Sequence, residues 1–253
     1  MRRLPLPAWV FLLSLLLFVA TWLAAPAETL SGGLRLAPEA PARRGGPATI
    51  AAESAPTPAA VKSDKRPFLI RGFGGRPYEL ALTFDDGPHP VHTSRLLDIL
   101  HRHQVKGAFF INGMWLAAAN KGRSRAVLRQ AHLEGHMVGN HTYSHENLAA
   151  IKPQRQTWQI VTTELLLDEL LGERPRIFRP PYGQMTRHAS NVLKQYGYQQ
   201  VLWNVSTKEG DVAPDPDRLA RQLMMWIERY RGGILLLHDR HRVSVDATEL
   251  LLA

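Results

Sequence analysis

The sequence predicts an α/β domain with a largely parallel sheet or barrel, running from Pro67 to the last residue. Three observations carry that expectation. Short apolar runs of strand character alternate with amphipathic stretches of helical period, the pattern of parallel strands joined by crossover helices. Polar residues with chemical capacity stand just after five of the strand candidates: Asp85 and Asp86, His141, Arg179, Asn204 and His238. A parallel barrel opens the carboxyl ends of its strands on one face, so residues this far apart in sequence can converge there. The third is length, because 253 residues hold one barrel-sized domain and a short appendage.

Met1, Arg2 and Arg3 precede an apolar run from Ala8 to Ala25, and residues 1–27 read as a signal peptide or membrane anchor with its basic end left in the cytoplasm. The run is barely long enough to span, and Ala25-Pro26-Ala27 resembles a cleavage site weakened by its proline. An uncleaved, helical anchor is slightly favoured. Residues 28–66 are rich in Ala, Pro and Gly and have no apolar period, so they are expected to be a flexible, disordered linker. Residues 67–253 form the domain. Its strand candidates are Glu79 to Phe84, Gly107 to Ile111, Met137 to Gly139, Arg176 to Phe178, Gln200 to Trp203 and Gly233 to Leu237. Between them, apolar stripes predict helices: Leu96, Leu97 and Leu100 after a Ser94 cap; Trp158, Val161 and Leu165; Ala189, Val192, Leu193 and Tyr196; Leu219, Leu223, Trp226 and Ile227. A last helix is expected over Asp246 to Leu252.

Composition removes several chemistries. The chain has no cysteine, which excludes disulfides, thiolate metal sites and a cysteine nucleophile and leaves Asp, Glu and His as strong metal ligands. The net charge of +9 suits an anionic partner such as a charged wall polymer or a membrane surface. The basic residues are scattered without an aromatic-basic stripe, so nucleic acid is not expected as a partner.

The stretch from Leu80 to Pro88 ends an apolar strand in two adjacent carboxylates and a Gly-Pro turn. Such a pair can divide its work between holding a metal and handling a proton, and the same residues also make an ordinary surface turn. His141 and His145 are four apart, so one helical turn would put both on one face, within reach of a single ion together with Asp86. Three such ligands leave coordination positions for water and a substrate oxygen. Zinc suits imidazole and carboxylate; Co2+, Ni2+ and Mn2+ stay open on ligand type alone. His132, His136, His188 and His241 read as surface or hydrogen-bonded histidines.

Thr83-Phe84-Asp85-Asp86-Gly87, His141-x-x-x-His145, Arg179-Pro180-Pro181-Tyr182-Gly183 and Leu236-Leu237-His238 resemble, in order and spacing, four of the five motifs of the polysaccharide deacetylase domain, also called the NodB-homology domain or carbohydrate esterase family 4. The likeness covers about Pro67 to Asp239. It implies a distorted (β/α) barrel and metal-dependent removal of acetyl groups from an N-acetylglucosamine-containing polysaccharide such as peptidoglycan, chitin or poly-N-acetylglucosamine. By the same resemblance Asp85 is the general base, Asp86, His141 and His145 hold the divalent metal, and His238 is the general acid. Arg179 orients the base, Tyr182 helps frame the metal and oxyanion region through its backbone N–H, and Pro181, Tyr182 and Leu236 line the substrate site, Leu236 against the acetyl methyl. Location in the cell envelope, periplasm or outside the cell follows from the leader and from the substrate class.

Two departures shape the expectation. The family's fourth motif carries two aspartates and a tryptophan, whereas this chain reads Ser206, Glu209 and Gly210 at the aligned positions. The first of those aspartates tunes the acid histidine in relatives, and Glu209 or Asp211 is the replacement to consider here. The second is that the family's last helix and strand are expected to be missing, because the chain stops at Ala253. The rival to an active hydrolase is therefore a glycan-binding pseudoenzyme of the same fold. A two-carboxylate glycosidase is disfavoured, since adjacent Asp85 and Asp86 cannot straddle a glycosidic bond.

Overall fold

The computed structural model describes residues 69–70, 77–117, 122–206 and 215–253. The apolar N-terminal segment and the linker fall outside them, as do Glu209, Gly210 and Asp211 of the divergent fourth motif. No helix among the described residues is long and apolar enough to cross a membrane.

Among the described residues eight parallel strands form one sheet: β1 (Leu69–Ile70), β2 (Glu79–Asp85), β3 (Ala108–Ile111), β4 (Met137–Asn140), β5 (Ile177–Phe178), β6 (Gln199–Val201), β7 (Val205–Ser206) and β8 (Gly232–His238). Their spatial order is β1-β6-β5-β4-β3-β2-β8-β7, which leaves β1 and β7 as the two edges. A flat sheet of eight strands would hold its edges about 34 Å apart. Here Ile70, Ala81, Phe110, Ile177, Val201 and Ile234, from six different strands, pack into one cluster, which requires the sheet to curl upon itself into an open barrel.

Among the described residues seven helices cover the sheet: α1 (His92–Arg102), α2 (Met114–Ala117), α3 (Gly122–Leu133), α4 (Pro153–Leu171), α5 (Arg187–Gln195), α6 (Pro216–Tyr230) and α7 (Arg242–Leu252). Alternation along β2 and β8 sorts the two faces. Leu80, Leu82, Phe84, Leu235 and Leu237 point outward into the core formed with Leu96, Leu97 and Leu100 of α1, Leu219 and Leu223 of α6 and Val245 of α7. Each of these leucines at 0% exposure would cost about 2–5 kcal/mol to truncate to alanine. The residues between them, Ala81, Thr83, Asp85, Ile234, Leu236 and His238, take the barrel side.

The six expected strands are present to within a residue or two, and α1, α4, α5 and α6 fall where the apolar stripes place them, while no stripe marks α2 or α3. The two edge strands, β1 and β7, have no counterpart among the expected ones; at two residues each they carry no alternation to read. Ser94 does not cap α1. The helix already begins at His92, and the Nδ1 of His89 accepts the backbone N–H of His92 at 3.0 Å in place of a hydroxyl cap. In α4 the expected stripe of Trp158, Val161 and Leu165 is not the core face, because Leu165 is exposed and the buried side is Ile160, Val161, Leu167 and Leu170. The last helix starts four residues earlier than expected and packs its Val245, Ala247 and Leu251 into the main core.

Candidate active site

Asp85 and His238 are the last residues of β2 and β8, and the register pairs them directly. Neighbouring strands lie about 4.8 Å apart, so a carboxylate and an imidazole stand side by side at the mouth of the barrel. Asp85 is 2% exposed. Its Oδ1 accepts a hydrogen bond from Arg179 Nη1 at 2.7 Å.

Arg179 follows β5 and is fully buried, the largest such side chain among the described residues. Nη1 also donates to Thr83 Oγ1 at 2.8 Å, Nε to the carbonyl of Val201 at 3.2 Å and Nη2 to that of Leu202 at 3.3 Å. The guanidinium lies over the ring of Phe110, 4.1 Å from its centre. Burial pulls this guanidine below its ordinary value while the Asp85 carboxylate beside it pulls the other way. A buried charge is tolerable only when paired and hydrogen-bonded, and Arg179 meets both conditions through Asp85.

The histidine pair comes together, though not on a helix. His141 to His145 form the loop after β4, with left-handed backbone at Thr142 (φ 68°) and His145 (φ 58°). Gln159 of α4 shapes that loop from below: its Oε1 accepts from the backbone N–H groups of Tyr143 at 2.8 Å and Ser144 at 2.9 Å. The Nδ1 of His141 lies 2.7 Å from the carbonyl of Arg179. A carbonyl can only accept, so Nδ1 carries the proton and Nε2 keeps its lone pair for the site. Burial first, and then His141 alongside, hold the His145 imidazole below its ordinary value, against the pull of Asp86.

Asp86 sits in the turn just beyond β2 at φ 72°, followed by a cis Gly87–Pro88 bond. Its Oδ1 is buried without a hydrogen-bond partner among the described residues. That oxygen lies 3.6 Å from His141 Nε2 and 3.5 Å from His145 Nε2. Atoms each about 2.1 Å from a tetrahedral cation stand about 3.4 Å apart, so the donor set and its spacing fit a divalent ion. Among the described residues no other group of three or more such side chains has this arrangement.

The remaining expectations divide. Pro181 is buried and opens a short 3-10 turn in which Tyr182 takes φ 60°. The Tyr182 ring, 63% exposed, meets His145 edge-on at 4.8 Å between centres. Leu236 lies two residues before His238 and opposite Thr83, so it flanks the site from within the barrel. Asn204 does not join them. It precedes β7 and binds the opposite end of β8, accepting from Ile234 N–H at 2.7 Å and donating to the carbonyl of Gly232 at 3.3 Å. Ser206 pairs with Leu236 on the neighbouring strand.

Several residues of the site give no clear signal in the sequence. Asn112 donates from Nδ2 to the His141 carbonyl at 2.8 Å, and its N–H bonds the Gly87 carbonyl at 3.1 Å, tying the His141 loop to the Gly87 turn. Asn140 shapes the histidine loop by accepting from Thr142 N–H at 2.9 Å. Asp239, fully buried, accepts from Thr93 Oγ1 at 2.5 Å, and burial pushes its carboxyl up to about 7. A buried Asn or Asp after a strand end is a weak signal in one sequence, since both are common turn residues.

A family profile described as polysaccharide deacetylase matches residues 75–201. A peptidoglycan-N-acetylglucosamine deacetylase of Bacillus cereus is 39% identical over 178 residues, covering 69% of this chain and 62% of that protein, so the chain spans somewhat less than two thirds of this relative's length. A chitooligosaccharide deacetylase of Azorhizobium caulinodans is 33% identical over 160 residues, 62% of this chain and 72% of its own length. Among solved structures, a peptidoglycan N-acetylglucosamine deacetylase superposes with a TM-score of 0.65 at 31% identity, covering 73% of this chain and 85% of that one.

Proposed function

This chain belongs to the polysaccharide deacetylase family, and on that premise we propose that it hydrolyses acetyl groups from an N-acetylglucosamine-containing polysaccharide. The observation that carries the reading is the buried, unpartnered Asp86 Oδ1 faced by two imidazole Nε2 atoms, with Asp85 and His238 in register beside it. Asp86, His141 and His145 would hold a divalent cation, zinc by ligand chemistry. Such an ion, when bound, polarises a carbonyl and lowers the pKa of water.

The chain's own residues supply the rest. Asp85 accepts the proton of the attacking water, and the hydrogen bond from the Arg179 guanidinium holds that carboxylate in place. His238, at the end of the adjacent strand, gives a proton to the departing sugar amine as the carbon–nitrogen bond breaks, so that water and amide become acetate and amine. Leu236, opposite Thr83, bounds the space for the acetyl methyl, Pro181 lines the substrate site, and Tyr182 frames the metal and oxyanion region through its backbone N–H. Residues 1–27 as signal or anchor and 28–66 as tether would place the domain in the cell envelope or outside the cell, where such polymers lie. The relatives named as peptidoglycan and chitooligosaccharide deacetylases support that substrate class.

Acetate release from N-acetylglucosamine oligomers, measured after chelation and after restoring zinc, tests the proposal. Metal-dependent acetate is expected. Oligomer binding without acetate at any metal concentration would favour the pseudoenzyme, a reading supported by Ser206 in place of the fourth-motif aspartate.

A further inference from the structure

One carboxylate adjoins the site without a part in the proposed mechanism. Asp239 follows His238 at the end of β8, is 0% exposed, and points into the turn that carries Asp86. A Cβ placed on Gly87 would overlap Asp239 Oδ2 and come within 2.5 Å of Oδ1, so the carboxyl lies directly against the Gly87 backbone, and only a glycine fits there. Thr93 of α1 relays the contact. Its hydroxyl donates to Asp239 Oδ2 at 2.5 Å and accepts the backbone N–H of His89 at 2.7 Å. The turn from Asp86 to His89 is thus held on one side by Asp239 and Thr93, and on the other by Asn112, whose N–H bonds the Gly87 carbonyl.

We propose that Asp239 is a positioning residue that clamps the Asp86 turn to the strand end carrying His238, fixing the metal side and the acid side of the site relative to each other. The inference rests on the metal-binding reading given above. It follows from connectivity: Asp239 is covalently next to the acid and in van der Waals contact with the residue next to a metal ligand. A site built on two strand ends needs such a tie, because misplacement by about 1 Å costs about two orders of magnitude in rate.

The test compares Thr93→Val with Thr93→Ser, and Asp239→Ala with Asp239→Asn. Serine and asparagine can keep the hydroxyl-to-oxygen bond; valine and alanine cannot. Zinc affinity by competition titration, kcat and KM for acetate release, and thermal unfolding of the metal-free protein are read for each. The expectation is that Thr93→Val and Asp239→Ala bind zinc at least tenfold more weakly and lose kcat at least tenfold with KM little changed. Thr93→Ser and Asp239→Asn should stay within about threefold of the parent. Wild-type zinc affinity and kcat in Thr93→Val would overturn the proposal, as would an Asp239→Asn variant as impaired as Asp239→Ala. If Asp239→Ala does not fold, the Thr93 pair still decides. Should the parent bind zinc but release no acetate, the deacetylase reading fails while the affinity comparison still judges the clamp.

Discussion

Glu164 gives the sharpest stability prediction. It lies in α4 at 2% exposure, and neither of its carboxylate oxygens has a hydrogen-bond partner among the described residues. Arg174 Nη1 is 3.7 Å away on a side chain that is 46% exposed, so its attraction is screened by water. Burial pushes the Glu164 carboxyl up from 4.5 to about 7, with Arg174 opposing and Asp168 adding to the rise. A raised acid pKa means that the folded state prefers the proton. Stability is therefore fullest below about pH 4.5 and falls as pH rises through 7. At about 1.4 kcal/mol per tenfold, the gap is worth about 3 kcal/mol once Glu164 is ionised. Glu164→Gln removes that ionisation. Urea unfolding at pH 5 and pH 8 should show the variant gaining about 2–3 kcal/mol over the parent between the two conditions. Any pH-independent offset from the unpartnered amide cancels in that difference. An equal offset at both pH values, or a variant that loses ground at pH 8, would refute the assignment of Glu164 as a buried, strained acid.

Three further outcomes follow from the site and its supports. Asp86→Ala or His141→Ala should abolish metal retention through dialysis, whereas Asp85→Asn should keep the metal and lower kcat by about two to four orders of magnitude; equal metal loss in all three would contradict the division between them. His136 is buried and held at about 4, chiefly by burial, and its Nδ1 accepts from Gly107 N–H at 3.0 Å. Since that folded value lies below 6.5, its contribution is present above pH 6.5 and lost as pH falls toward 4, up to about 3 kcal/mol; His136→Gln should flatten that acid limb in urea titrations. Gln159→Leu strips the acceptor shared by Tyr143 and Ser144 N–H, and zinc titration should show affinity weakened by about tenfold or more with α4 still folded, as read by circular dichroism.

Much of the fold is legible because two periodicities survive in the sequence. The alternation of Leu80, Leu82 and Phe84 with Ala81, Thr83 and Asp85 is enough by itself to mark β2 and its two faces. Strand ends are legible for the same reason, and Asp85, Asp86, His141, Arg179 and His238 fall at or just beyond them. Asn204 shows the limit. A polar residue near a strand end reads the same whether it opens the next strand or closes the last one, and here it serves the opposite end of β8. His141 and His145 show another: a spacing of four fits a helical turn, and the left-handed Thr142 and His145 that replace it depend on Gln159, a residue from a later helix. Asn112, Gln159 and Asp239 act only through contacts distant in sequence, and no local pattern announces those.

The burial of Arg179 has a consequence for how such a site can fall silent over time. Among the described residues its guanidinium has one carboxylate partner, Asp85, and it has no access to water. Replacing Asp85 by an apolar residue would strand a charge inside the barrel, at about 3–5 kcal/mol, a large share of the stability of a domain this size. Changes at Asp85 are therefore filtered through folding. His238 stands at the half-buried end of β8 with its ring 6.0 Å from that of His241. An intact Asp85–Arg179 pair therefore testifies to a sound barrel before it testifies to turnover.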